Sequence, residues 1–85
     1  MSLPTTININ GDRMKERREF LGMTQAALAA RVSEVTEDRI RVSRGYLAEL
    51  ELNQKQSGRH KQPRRHIALA LADALAVPIT FLEES

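Results

Sequence analysis

The residue types best suited to contacting another molecule lie together in the segment VSRGYLAELEL, residues 42–52. Its apolar side chains recur at spacings of five and three, which predicts a helix with one face on a core. The polar side chains then point outward near the start of that helix, and they are Ser43, Arg44, Tyr46 and Glu49. A serine caps free N–H groups, and the positive end of the helix dipole lies there too. This helix end therefore suits contact with phosphate groups.

Gly45 is an unusual residue for the interior of this helix, where glycine costs about 1 kcal/mol relative to alanine. Its presence indicates that the backbone of the helix comes close to something else. The alternative interpretation of the segment is an ordinary surface helix, and the segment taken alone favours neither interpretation.

The positive charge of the chain is concentrated around this helix. The whole sequence has 85 residues and a formal net charge of +2. Residues 39–66 carry eight arginines and lysines against two glutamates, a net charge of +6, whereas residues 1–38 total −1 and residues 67–85 total −3. Such a distribution is expected of a surface that binds a polyanion and releases its counterions. The alternative is a solvated basic loop.

The first ten residues are expected to form an N-terminal arm, and residues 11–85 to form one domain. Within the arm, Ile7 and Ile9 alternate with polar residues, which predicts either a short edge strand or a tail packed on the first helix. Asn10 ends the arm as the N-cap of that helix.

The first two helices are bounded by further local signals. The first is expected to run from about residue 11 to Leu21, to bury Met14 and Leu21, and to stop at a left-handed Gly22. The second is capped by Thr24 and runs through about Val32, with several alanines that let another helix approach closely.

Two more helices are predicted to follow a basic loop and to complete the core. The fourth opens at Pro63, and Arg64 and Arg65 stand at its N-terminus, where cations are unfavourable unless they bind phosphate. Its buried stripe consists of Ile67, Leu71, Ala72 and Leu75. The fifth is a last short turn over residues 79–83 that covers the core.

Composition limits the classes of function. With three aromatic residues and no cysteine, the chain has an aliphatic core and neither disulfides nor thiolate zinc sites. It is too short for a catalytic cleft with a supporting scaffold, and His60 and His66 have no carboxylate or cysteine at ligand spacing. We therefore expect no enzyme activity, no metal and no cofactor. Since no long apolar run or leader pattern occurs, we expect no membrane span and a cytoplasmic location.

Three short motifs occur in a fixed order along the chain. They are GMTQAALAARV with Arg18 before it, VSRGYLAELE, and Pro63 followed by ALADALAVP. In this order they resemble the XRE family, and the resemblance extends from Arg13 to Leu82. The lambda-repressor-like helix-turn-helix domain of that family is a compact all-α bundle of five helices. The resemblance implies sequence-specific binding of double-stranded DNA by a transcriptional regulator, of the repressor kind, at the nucleoid.

The resemblance also implies which residues read the DNA sequence. Helix three, about Ser43–Leu52, enters the major groove, and Ser43, Arg44, Gly45 and Glu49 match positions that face base edges. A guanidinium bonds the O6 and N7 atoms of guanine together, so Arg44 is the strongest candidate. Glu49 either accepts from cytosine N4 or pairs with a neighbouring arginine.

Other residues are expected to hold DNA phosphates or to orient helix three. Gln25, at the start of helix two, matches a phosphate anchor, and Tyr46 is expected to pack or to touch a phosphate. Arg18 and Glu51 match a salt bridge between helices one and three, whose role is orientation rather than large net stability. The remaining phosphate-binding candidates follow helix three: Lys55, Arg59, Lys61, Arg64 and Arg65.

Two segments depart from the family pattern. Residues 33–41 read as an insertion of about nine residues between helices two and three. We favour a longer second helix or an added turn, with Val35 and Ile40 as apolar contacts. The alternative is a short extra helix capped by Thr36. After helix three, a long basic loop replaces a short connection, and Asn53 stands where a glycine is common and is able to adopt the left-handed conformation. That loop is either a phosphate clamp or minor-groove arm, or an ordinary surface loop.

The partners implied by the resemblance are a palindromic operator and a second copy of the chain. A homodimer would place its half-sites about one helical turn apart. Its contact would be helix five around Ile79 and Phe81, or exchange of residues 5–9. Scarce aromatic residues argue against single-stranded or RNA binding. The alternative function is an antitoxin or adaptor that holds a partner protein, and such a module would hardly bind random duplex.

Overall fold

Five short helices surround an aliphatic core in the part of the chain that the computed structural model describes, residues 6–53 and 62–84. They are α1 (Gly11–Phe20), α2 (Gln25–Val35), α3 (Arg44–Glu51), α4 (Arg65–Ala74) and α5 (Ile79–Leu82). These described residues contain no strand, so the all-α prediction is confirmed. The radius of gyration, 11.9 Å, is close to the roughly 11 to 12 Å of a compact domain of this length.

The polar caps predicted from the sequence start the first three helices. In each, the side-chain oxygen of the cap accepts a hydrogen bond from the backbone N–H three residues later, at 3.0 to 3.1 Å. The three caps are Asn10, Thr24 and Ser43. Gly22 follows α1 with a φ of +73°, which confirms the predicted left-handed stop.

The core is built from one face of each long helix. α2 packs against α3 and α4, and α1 packs against α3 and α5. Fully buried aliphatic side chains fill the space between them, among them Leu28, Val32, Leu47, Leu50, Leu71 and Leu75. This arrangement buries Leu47 and Leu50 on the inner face of α3 and leaves Arg44, Gly45 and Glu49 exposed.

The N-terminal segment is part of the core. Ile7 and Ile9 are buried, and isolated antiparallel bridges join Thr6 to Arg64 and Ile9 to Glu83. The segment thus behaves as a short extended tail that closes over the bundle, which combines features of both predicted alternatives.

The insertion lengthens α2 to Val35 and then forms a turn, as we favoured. The hydroxyl of Thr36 donates to the Val32 carbonyl at 2.8 Å and accepts from the N–H of Ile40 at 3.2 Å. Since Thr36 closes a turn in this way, it caps no extra helix. Val35 and Ile40 are half-buried against the core, as predicted.

The predictions for Leu21 and Asn53 were wrong. Leu21 is 39% exposed, because α1 ends at Phe20 and Leu21 is its C-cap. Asn53 is not left-handed; the described non-glycine residues with positive φ are Glu37, Asp38 and Ala76. The side chain of Asn53 is buried instead, and its amide nitrogen donates to the Ile9 carbonyl at 3.1 Å. This bond satisfies a carbonyl that the core would otherwise leave unpaired.

Candidate nucleic-acid interface

The start of α3 is exposed and carries the predicted base-reading residues. Ser43, Arg44, Gly45 and Glu49 are all exposed, while the two leucines on the opposite face of α3 are fully buried. The Ser43 hydroxyl accepts from the N–H of Tyr46 at 3.0 Å, so the first turn is capped. The structure therefore exposes Ser43, Arg44 and Gly45 in the first turn of α3 and Glu49 in its second turn.

Packing among residues 6–53 and 62–84 does not require a glycine at position 45. A Cβ built on Gly45 would meet nothing nearer than the Ser43 hydroxyl, 4.0 Å away. Alanine would therefore fit and would favour the helix by about 1 kcal/mol. The described residues therefore do not supply the close approach that the sequence predicts at this position.

A buried ion pair fixes the far end of α3 to α1. Arg18 Nε donates to Glu51 Oε2 at 2.7 Å, and its Nη2 donates to Glu51 Oε1 at 3.0 Å. Both side chains are 10% exposed or less. This two-pronged geometry confirms the predicted pair. The hydrogen bond to Glu51 raises the pKa of Arg18 above its ordinary value, and burial opposes that rise.

The pair belongs to a larger network that sequence reasoning missed. Arg18 Nη1 donates to the Met23 carbonyl at 2.7 Å, and the side-chain amide of Gln25 donates to Glu51 Oε1 at 3.1 Å. One carboxylate thus joins α1, the start of α2 and the end of α3. Gln25, the predicted phosphate anchor, is half-buried and has a partner within the chain. No local pattern could have signalled a bond between residues so far apart in sequence.

The other predicted phosphate-binding residues differ in their surroundings. Tyr46 is half-buried and packs against the core. α4 begins at Arg65 rather than at Pro63, and Arg64 is its exposed N-cap without a side-chain cap bond. Arg65 is half-buried and lines a shallow hollow with Glu83 and Glu84. Over residues 6–53 and 62–84, neither Arg64 nor Arg65 forms an ion pair, so both cations stand at the positive end of α4 without a carboxylate bound to them.

Three predicted phosphate-binding residues, Lys55, Arg59 and Lys61, lie outside the described residues, as does His60. Over residues 6–53 and 62–84, no group of histidine, aspartate and glutamate side chains is arranged to hold a metal ion. None of the helices in those ranges has the length and apolar character to cross a membrane.

Comparison with known proteins adds no relative to this picture. No protein-family model matches the chain, and no match was found among curated proteins or solved structures. The interpretation of the exposed end of α3 therefore depends on the chain's own geometry and charge.

Proposed function

We propose that this protein is a lambda-repressor-like, sequence-specific regulator that inserts the start of α3 into the major groove of double-stranded DNA. The observation that carries the proposal is the capped, solvent-facing first turn of α3, which carries Arg44. Glu49 is exposed one turn further along, while Leu47 and Leu50 on the inner face of the helix are fully buried. Reading base edges requires donors and acceptors at fixed positions, and a helix held on a packed core supplies them.

The way α3 is held supports this proposal. Its inner face packs on α1 and α2, and Glu51 at its C-terminal end receives hydrogen bonds from Arg18 and Gln25. The connection from α2 is longer than the three or four residues of a tight helix-turn-helix. Ile40 and Val42 pack this connection against the core, so the longer link does not release α3.

Gly45 provides separate support for the proposal that α3 binds DNA. The residue weakens α3, and the described fold offers no steric reason for it. A groove-bound helix does offer a reason, because the absence of a side chain lets the backbone approach the DNA.

The protein would act as a homodimer on a palindromic operator, as a repressor in the cytoplasm. Ile7 and Ile9 are buried within their own chain, which disfavours exchange of the N-terminal segment as the dimer contact. The α5 side is more open: Phe20 is 76% exposed and lines an apolar hollow with Val77 and Phe81. Glu16 and Arg17 at its edge carry opposite charges, so a two-fold related copy would set each charge against its opposite.

Selection of bound sites from a library of random duplexes tests the proposal. We expect a defined motif with half-sites, and we expect Arg44→Ala to relax the preference at one guanine by about 1 to 3 kcal/mol. Arg64→Ala should instead weaken binding to all sequences alike.

Arg13→Ala is the matched control for these variants. It removes the same charge from an exposed residue of α1, whose side chain donates to the carbonyls of Phe81 and Glu83 at 3.4 Å. The control should leave the ranking of duplexes unchanged. Enrichment of no motif, or an Arg44→Ala variant with unaltered base preferences, would contradict the proposal.

The alternative is an antitoxin or adaptor that uses the same scaffold to hold a protein. The exposed apolar side chains of Phe20 and Leu21 favour this alternative. Measurement of duplex binding at several salt concentrations separates the two functions. A DNA-binding protein loses affinity steeply as salt rises, whereas an adaptor shows almost no binding to lose.

A further inference from the structure

The turn between α2 and α3 is fixed by its own hydrogen bonds. The N–H of Asp38 donates to the Ser33 carbonyl at 2.7 Å, and the N–H of Arg39 donates to the Thr36 carbonyl at 3.1 Å. Glu37 and Asp38 have φ values of +54° and +64°, which side chains rarely adopt. Two consecutive residues hold this conformation only where the surroundings determine it. The turn therefore has one defined shape.

That shape sorts the residues that follow it onto two faces. Arg39, Arg41 and Ser43 are exposed, whereas the residues between them, Ile40 and Val42, are half-buried against the core. The alternation is that of an extended segment, in which successive side chains point to opposite sides. The two arginines consequently line the outer face of the segment that leads into Arg44 and the start of α3.

Neither arginine is committed to a strong partner within the described chain. Arg41 lies 3.8 Å from an Asp38 carboxylate oxygen, and both side chains are mostly exposed, at 76% and 69%. Exposed ion pairs of this kind are weak and are screened by salt. Arg39 forms no ion pair with the residues of 6–53 and 62–84. A guanidinium placed in this way is available to the oxygens of a phosphate group.

We propose that this turn is a second phosphate-binding element, in which Arg39 and Arg41 hold the DNA backbone beside the groove that α3 reads. The inference rests on the proposed function and extends it to two residues outside the helix. Asp38 competes with phosphate for Arg41, and it thereby lowers the affinity for every duplex by the same factor.

The test measures the salt dependence of duplex binding for the whole chain and for Arg39→Ala and Arg41→Ala. Each variant is titrated with the selected duplex and with a scrambled duplex of equal length. Losing one phosphate contact should reduce the slope of log affinity against log salt by about 0.9. Across a fourfold change in salt, that difference amounts to about 3.5-fold in affinity. Both duplexes should be affected equally, and Arg13→Ala should leave the slope unchanged.

A variant that is expected to bind more tightly provides a second, independent test. Asp38→Asn removes the competing carboxylate, and asparagine tolerates the left-handed conformation that this position requires. We expect a severalfold gain in affinity at low salt on both duplexes. Circular dichroism and thermal unfolding verify that each variant folds as the parent does.

The outcomes separate this inference from the proposed function. If the parent selects a motif but neither arginine variant changes the salt slope, the turn is not a phosphate-binding element and the proposed function stands. If either variant alters preference at one base position only, that arginine reads a base and the inference is overturned. If the parent binds no duplex in a salt-dependent way, both the inference and the proposed function are rejected.

Discussion

At the scale of single residues, the ion pair of Arg18 with Glu51 places two charges in the buried part of the fold. Arg18 and Glu51 lose most of their hydration, and their mutual attraction roughly offsets that loss. The raised pKa of Arg18 gives the sign of its pH dependence. Its contribution to stability is fully present below the ordinary pKa of arginine and is lost only as the pH rises through the higher folded value. Near neutral pH, Arg18 does not titrate.

We expect Arg18→Ala to destabilise the protein by about 3 to 5 kcal/mol, because Glu51 would remain as a buried charge without its main partner. The free energy of unfolding, measured by denaturant titration, checks this value. Such a loss removes a large part of the roughly 5 to 15 kcal/mol that stabilises a domain, so DNA binding by this variant would report mainly on unfolding.

A double substitution separates orientation from stability. Arg18→Met combined with Glu51→Leu replaces the ion pair by apolar groups, and we expect a free energy of unfolding equal to or above that of the parent. We also expect weaker duplex binding, because α3 is no longer fixed to α1 and to Gln25 by a directional bond. A double variant that is as stable as the parent and binds with undiminished affinity would show that the pair does not orient α3.

At the scale of elements, the starts of the first three helices were predictable because their signals are local, whereas α4 begins at Arg65 and not at the predicted Pro63. Asn10, Thr24 and Ser43 each bond within their own first turn, so their sequence neighbours suffice to identify them. The end of α2 was harder to fix. Glu37 and Asp38 take left-handed φ values where no glycine marks the turn.

Contacts between distant parts of the sequence were the least predictable part of the site. The Gln25 bond to Glu51 and the Asn53 bond to Ile9 join residues with no shared pattern. The ion pair of Arg18 was expected because of a family resemblance, since no spacing rule connects α1 with α3. The exposed end of α3 needed no such help, because its apolar face follows helical periodicity.

The junction of α1 with α3 gives a prediction about two glycines. A Cβ at Gly11 would lie 2.8 Å from the Glu51 carbonyl oxygen and even closer to that of Leu50. Because both obstacles are backbone, Gly11→Ala should destabilise the fold by at least about 1 to 3 kcal/mol. Gly45→Ala is its matched control, since the space there is open, and should stabilise the fold by up to about 1 kcal/mol. Thermal unfolding measures both effects.

The same control variant tests the role of Gly45 at the interface. If the backbone of α3 approaches DNA, Gly45→Ala combines a more stable fold with weaker binding to the selected duplex. If the stabilised variant binds the duplex as tightly as the parent, Gly45 is not part of the interface. Neither the structure nor the function would then explain the glycine at this position.

At the scale of the whole molecule, the proposed dimer can be tested directly. Phe20→Ser should lower the free energy of unfolding by no more than about 1 kcal/mol, because the side chain is 76% exposed and loses its contact with the Arg17 guanidinium over its ring. We expect it to convert the dimer into a monomer in analytical ultracentrifugation and to shorten the selected site to one half-site. Leu69→Ser, at an exposed leucine of α4 outside the hollow, should do neither. Equal masses for parent and Phe20→Ser would place the dimer contact elsewhere.

The closure of the bundle by its N-terminal segment has a consequence for how the protein is made. The N–H of Asn10 donates to the Leu82 carbonyl at 2.7 Å, and the N–H of Glu84 donates to the Asn8 carbonyl at 2.7 Å. On the ribosome, Asn8 and Asn10 therefore emerge early, but these backbone groups stay without their native partners until residues 82–84 have been made. Helices can form during translation, yet this seam closes only once residues 82–84 have left the ribosome, so its closure is a late step of folding.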